Sequence, residues 1–336
     1  MILKNGNQFL IAKKNKKVVG RSGRLLPLLL LFMGLFMALP KAKGQIDSLY
    51  IGDFDYKFSL STYLLKDYIR LSQQFDSGDK ISLYPNNPVS LGVGIAIKNT
   101  VIDISYGYAL KFLQDSKYGK TSAFDLQLHN YGRKYVLDIF IQRYQGFYQD
   151  KTKKTNSITL FPDVKVRQYG VWGQYVFNHR RFSYKAAFVQ DERQLRSAGS
   201  FLVGGSVFKT RVRSDGSYTI DRSQYFRRLQ FGINAGYAYS YVINKYLYLG
   251  GSLSFGVNFG SQNIRSFKIN TDVYPSILYR FSAGYNRSSW SLGITYVSNM
   301  LYPSLSKEQN VRVTSGGLQF TFIRRFIRFP FTKKKK

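Results

Sequence analysis

The 336-residue chain contains no cysteine. This excludes disulfides, thiolate metal ligands, a cysteine nucleophile and a lipidated cysteine. Glutamate is nearly missing, with Glu192 and Glu308 the two copies, and His129 and His179 are the two histidines. A metal centre built from several imidazoles is therefore ruled out. Long apolar runs are also lacking, with the one exception of LLPLLLLFMGLFMALP at residues 25–40. Together with a mean hydropathy of −0.24, that excludes a bundle of membrane helices, which needs repeated apolar stretches of about 20 residues.

The single apolar run has the pattern of a secretory signal. Seven basic residues and no acid precede it, and Ala42-Lys43-Gly44 follows with small residues where a signal peptidase reads them. Cleavage is expected before Gln45. The chain thus divides into a signal peptide at 1–44, one domain at 45–329 and a basic tail at 330–336. The net charge of +32 shrinks accordingly: nine of the 50 basic groups lie in 1–44, leaving 41 against 18 acidic groups, or +23. Export and the scatter of these charges through turns and loops argue against nucleic acid. Anionic lipid head groups, lipopolysaccharide among them, and small solutes are the expected partners.

Tyrosine and phenylalanine (27 each) and glycine (29) are abundant. They fall in segments of about ten residues that alternate apolar with small or neutral-polar side chains. In VSLGVGIAI (89–97), Val89, Leu91, Val93, Ile95 and Ile97 take one face; Ser90, Gly92, Gly94 and Ala96 take the other. A soluble sandwich would show charges on its outer face. Glycine, serine, alanine and asparagine suit the inside of a barrel whose greasy face meets lipid. Tight turns at Asn99, Asn130, Asn178, Asn244 and Asn286 alternate with long polar connections at 111–120, 145–164, 261–272 and 299–311. The expected fold is an all-β, antiparallel up-and-down transmembrane β-barrel in the bacterial outer membrane, with short turns periplasmic. About 12 strands satisfy parity, counting FSYKAAF (182–188) as one and treating 191–224 as an extracellular excursion. If SFLVGGSVFKTRV (200–212) is also a strand, a return strand must accompany it and the total becomes 14.

Several stretches carry a resemblance: YPNNPVSLGVG (84–94), FDLQLHNYGRKYVLDIFIQRYQGFY (124–148), PDVKVRQYG (162–170), FNHRRFSYKAAF (177–188) and RQLRSAGSFLVGG (193–205). Together they resemble a Bacteroidota family of outer-membrane β-barrels catalogued as a domain of unknown function. The likeness covers about 46–326. It implies fold and location, and offers no activity, ligand or catalytic residue. The tail IRFPFTKKKK departs from the usual barrel ending at a terminal aromatic residue.

No motif supports catalysis, a metal or a cofactor. Asp53 and Asp55, like the DSGD stretch at 76–79, supply too few oxygens for calcium. Gly92-Val93-Gly94 lacks the third glycine of a dinucleotide loop. His179 sits in a turn, and His129 faces inward as a lumen polar residue. Parity points Asp103, Asp125 and Asp138 inward on neighbouring strands, and Lys185, Arg228 and Arg280 inward on later ones. Either opposite charges face each other across water and form a selective constriction, or they pair and the lumen closes. The expected function is a narrow channel for small anionic or zwitterionic solutes. The alternative is a structural or interaction barrel whose extracellular loops bind lipopolysaccharide or a partner protein, and a lipid-modifying barrel enzyme comes third.

Overall fold

The computed structural model describes residues 46–97, 103–151, 157–219, 224–261, 270–305 and 309–328. The expected signal peptide and basic tail lie outside the described residues. None of the described helices is long and apolar enough to cross a membrane.

Twelve long strands form one antiparallel path. In chain order they are β2 (Phe58–Phe75), β4 (Ser90–Ile97), β5 (Asp103–Ala109), β6 (Ser122–Tyr131), β7 (Tyr135–Asp150), β8 (Ile158–Val176), β10 (Ala198–Arg213), β11 (Tyr225–Val242), β12 (Leu247–Ser261), β13 (Asn270–Asn286), β14 (Trp290–Leu305) and β15 (Gln309–Phe326). Each pairs with its neighbour along the chain except across β5 and β6, and β15 returns to pair with β2 from Gln309↔Phe75 to Phe326↔Phe58. The path begins at β5 and ends at β6. Contacts reach across the inside, for example from Arg280 on β13 to Asp138 on β7. The sheet is therefore curled into an up-and-down barrel.

Alternation explains which way each strand faces. Val93, Phe255, Ile233 and Phe281 are exposed outside, while their sequence neighbours turn in. At the rim with the short turns, aromatic rings gather, such as Tyr135 against Tyr175 and Tyr285 against Trp290, each pair with centroids 5.4 Å apart. This is the outward apolar band and girdle of a membrane barrel.

The strand count agrees with the expectation, but its membership differs. Residues 182–188 are not a strand: Tyr184–Phe188 form a short helix, α1, capped by the Ser183 hydroxyl accepting from Ala186 N at 3.1 Å. The disputed 200–212 stretch belongs to β10, paired with both β8 and β11. The Asn178 turn therefore opens a longer insertion. β7 and β8 also run further than expected, to 16 and 19 residues, because their pairing continues past the apolar band into the supposed 145–164 loop.

Three small strands complete the fold. β1 (Ile51–Asp53) and β9 (Glu192–Gln194) pair with each other, apart from the main sheet. β3 (Lys80–Leu83) folds back on β2, and Tyr84 then bridges to Tyr148 of β7. The next residues stitch the long-loop rim. Asn86 Nδ2 donates to Gly119 O at 2.7 Å and to Asp115 O at 2.9 Å, and its backbone N–H donates to Thr121 Oγ1 at 2.8 Å.

Candidate functional site

The barrel interior is filled at three levels. At the long-loop end, Ile69, Leu71, Leu83, Tyr144, Phe147 and Val313 belong to one apolar cluster that reaches from β2 and β15 to β7. In the middle, Phe140, Trp172, Phe208, Leu278 and Leu301 form a second. At the short-turn end, a third combines wall residues such as Val136 and Leu202 with Phe182, Tyr184 and Phe188 of the insertion. Neutral amides and hydroxyls connect walls between them. Gln174 Nε2 donates to Asn234 Oδ1 at 3.0 Å and Ser254 Oγ at 2.9 Å, and Ser206 Oγ donates to Asn258 Oδ1 at 2.9 Å.

The insertion acts as a plug. After α1 the chain turns at Gln190, the one described residue other than glycine with positive φ, at 56°. This is the left-handed position that follows a helix C-cap, where glycine is the usual choice. A side chain there costs roughly 1–2 kcal/mol, and glutamine offsets it with bonds glycine cannot make. Its Nε2 donates to Asn286 Oδ1 at 3.0 Å and Leu292 O at 2.8 Å. The backbone carbonyl of the same residue, which any residue would supply, accepts from Arg325 Nη2 at 2.6 Å. Gly293 leaves the space: a Cβ there would stand 2.2 Å from Gln190 Oε1. The Ser282 hydroxyl adds a 2.6 Å bond to Ala187 O.

The N-terminal strap holds the plug from the other side. Beyond the β1–β9 pairing, Tyr56 OH donates to Asp191 at 2.5 Å, and Arg133 Nη2 lies 3.0 Å from Glu192 Oε1. Gln194 Nε2 donates to Arg181 O at 2.6 Å and Tyr50 O at 3.1 Å. Burial pushes the Glu192 carboxyl above its ordinary pKa, opposed by Arg133 and the Ser183 hydroxyl.

Of the anticipated lumen charges, one opposite pair is brought together. Asp138 on β7 and Arg280 on β13 form an ion pair with bonds from Arg280 Nη2 to Asp138 Oδ2, both side chains buried. Arg280 Nη1 also donates to Tyr184 OH of α1 at 2.8 Å, and that hydroxyl reaches Ser252 Oγ at 3.2 Å. His129 Nδ1 lies 2.5 Å from Asp138 Oδ1, and Tyr131 OH donates to the same oxygen at 3.3 Å. The network thus joins two opposite walls to the plug.

Among the remaining charges Lys185 corrects the expectation, whereas Asp125 and Arg228 face inward but meet no opposite charge of the anticipated set. Lys185 is not on a barrel strand; it lies on α1 and pairs with Asp191 at 3.1 Å. Asp125 points inward but meets neutral donors, Tyr144 OH at 2.6 Å and Gln142 Nε2 at 2.8 Å. Arg228 is buried and donates Nε to Pro303 O at 2.9 Å, with its guanidinium over the Tyr274 ring at 5.0 Å. It has no carboxylate partner among the described residues. The side chain of Asp103 lies outside the described residues. Tyr184, Gln190 and Asp191 hold the interior together, yet no spacing in the sequence marks them, because each hydrogen-bond or ion-pair partner is 68 or more residues away or belongs to the plug itself.

Residues 45–326 match the family model described as Domain of unknown function (DUF4421). No curated protein matches the chain. Among solved structures, the chain is similar to the outer membrane protease OmpT from Escherichia coli (8% identity, 80% of this chain and 97% of that one, TM-score 0.32). It is also similar to the translocator domain of autotransporter NalP from Neisseria meningitidis (11%, 90% and 96%, TM-score 0.34). A third is a FadL homologue from Pseudomonas aeruginosa (10%, 82% and 91%, TM-score 0.25).

Proposed function

This chain belongs to the family described as Domain of unknown function (DUF4421), and we propose that it is a closed barrel of the bacterial outer membrane. It works as a structural or interaction protein through its extracellular end and its lipid-facing rim. The observation that carries this reading is the Asp138–Arg280 pair anchored to Tyr184 of the plug. A charge that selects ions must meet water and the passing ion. These two charges are instead buried against each other, with the hydroxyls of Tyr184 and Tyr131 bonded to them and Arg280 Nε left without a partner. Apolar clusters above and below them favour a filled interior over a conduit.

The channel for small anionic or zwitterionic solutes becomes the second reading, and it requires the plug to leave. We do not propose a lipid-modifying enzyme. The imidazole of His129 is committed to Asp138 and packs beside the Tyr131 and Phe140 rings. Conductance across a planar bilayer tests the proposal. Purified protein should give no steady conductance, and a variant with residues 182–195 replaced by a short Gly/Ser linker should conduct. A steady current through the unaltered chain, its reversal potential shifted by Arg280→Ala, would establish the channel instead.

A further inference from the structure

The register of four successive strands sets four arginines side by side. Arg143 on β7 lies opposite Arg167 on β8, Arg167 opposite Arg211 on β10, and Arg211 opposite Arg227 on β11. All four face outward, because the next residues, Tyr144, Val166, Val212 and Phe226, are buried inside. Adjacent strands are about 4.8 Å apart, so the row spans roughly 14 Å. Lys209 follows on the same face of β10, one step nearer the apolar band, where Val207, Phe231 and Ile233 are exposed.

Like charges directly opposite each other on one sheet face are destabilising. One step further out, the problem is solved from within the chain: Asp215 takes both Arg213, at 2.9 Å, and Lys165, at 3.3 Å. The arginine row has no such relief. Among the described residues none of these four arginines, nor Lys209, has an ion-pair partner. The Nε atoms of Arg211 and Arg227 are buried and without a hydrogen-bond partner. Arg143 donates Nε to Tyr169 OH at 3.0 Å, with its guanidinium 5.7 Å from the centre of that ring.

We propose that this row is a binding site for the phosphate groups of an outer-leaflet lipid, a phosphorylated glycolipid head group. It rests on the outer-membrane location proposed above. The site lies at the junction between the apolar band and the long-loop rim, where head groups meet the barrel wall. Arginine forks match phosphate oxygens two bonds at a time, and a row of this length engages more than one phosphate. The acyl chains of the same molecule then lie along Val207, Phe231 and Ile233. This contact supplies the counter-charge that the chain itself omits.

The test uses the full-length protein in detergent and a fluorescent phosphorylated glycolipid in mixed micelles, compared with its enzymatically dephosphorylated form. The wild type should bind the phosphorylated form about tenfold or more tightly than the dephosphorylated one, and Arg167→Gln/Arg211→Gln should abolish the difference. Arg213→Gln, whose cation already has Asp215, should bind within about twofold of wild type. Inorganic phosphate at millimolar concentration should not compete, which separates a lipid head group from free phosphate. Equal binding of the two lipid forms by the wild type overturns the proposal, and that comparison needs no variant to fold. Competition by inorganic phosphate at the affinity of the lipid overturns the lipid assignment. Conductance, which tests the closed barrel, plays no part in these measurements.

Discussion

Replacing Asp138 with alanine strands Arg280 inside the barrel. The guanidinium is 1% exposed and would keep the bond to Tyr184 OH and its place over the Tyr131 and Tyr184 rings, but no anion. Breaking a buried pair from one side typically loses ~3–5 kcal/mol. His129 adds little to that loss, because its side chain is 29% exposed and can turn to water. Arg280→Ala should cost somewhat less. The carboxylate left behind still accepts from Tyr131 and sits against His129. Removing both charges as Asp138→Leu/Arg280→Met should return most of the loss, since apolar groups of similar volume replace a buried pair at little cost. Equilibrium urea unfolding in detergent micelles measures all three, with the heat-dependent gel mobility of the folded barrel as an independent reading. Single-variant losses below about 1 kcal/mol, the range of solvated surface pairs, would refute the reasoning and mean that water reaches both charges.

Four further outcomes are expected. Val93→Arg places a charge against lipid and should cost ~2–4 kcal/mol in a folding assay with lipid vesicles, whereas Ser61→Ala on the inner face of the adjacent strand should be mild. Gly293→Val drives a side chain into the Gln190 amide; it should loosen the plug, seen as faster labelling of a cysteine introduced at residue 187, with the barrel itself still folded. Trypsin added to intact cells should cut at Lys151, beyond the end of β7, and leave Arg180 and Arg181 at the opposite rim untouched. Finally, the raised pKa of Glu192 means that its carboxyl contributes most below the ordinary glutamate value of 4.5 and progressively less as the pH rises through its folded value. Glu192→Gln should flatten that pH dependence in proteolytic protection of the plug.

The wall of this barrel could be read from alternation because lipid and interior sort side chains residue by residue. Phe124, Leu126 and Leu128 are outside, and Asp138 and Gln142 inside, as their parity requires. The plug could not be read so. Phe182, Tyr184, Ala186 and Phe188 share one parity and imitate a strand, yet all four are buried and the last three belong to a helix. The count of twelve survived because this false strand stood in for β10, which parity alone had pushed aside. Inward charges were legible as inward, but their partners were not. Asp138 and Arg280 are 142 residues apart, and nothing in one sequence records which walls face each other. The arginine row shows the same limit: each residue's face follows from alternation, while the row exists through the register of three strand pairs.

A curled sheet of hydrogen-bonded strands resists being stretched along its paired path, but it is soft to squashing, because ovalisation bends the sheet without breaking a ladder. The β1–β9 pair removes that softness. Along the path of twelve strands, β2, which β1 leads into, and β10, which β9 leads into, stand six places apart, on opposite sides. A short two-stranded tie between diametrically placed walls works as the spoke of a wheel. Lateral pressure from the bilayer that would flatten an empty hoop must here first tear backbone hydrogen bonds at Ile51, Gly52 and Asp53 from their partners. Resistance to flattening is then a property of the strap and plug as much as of the wall.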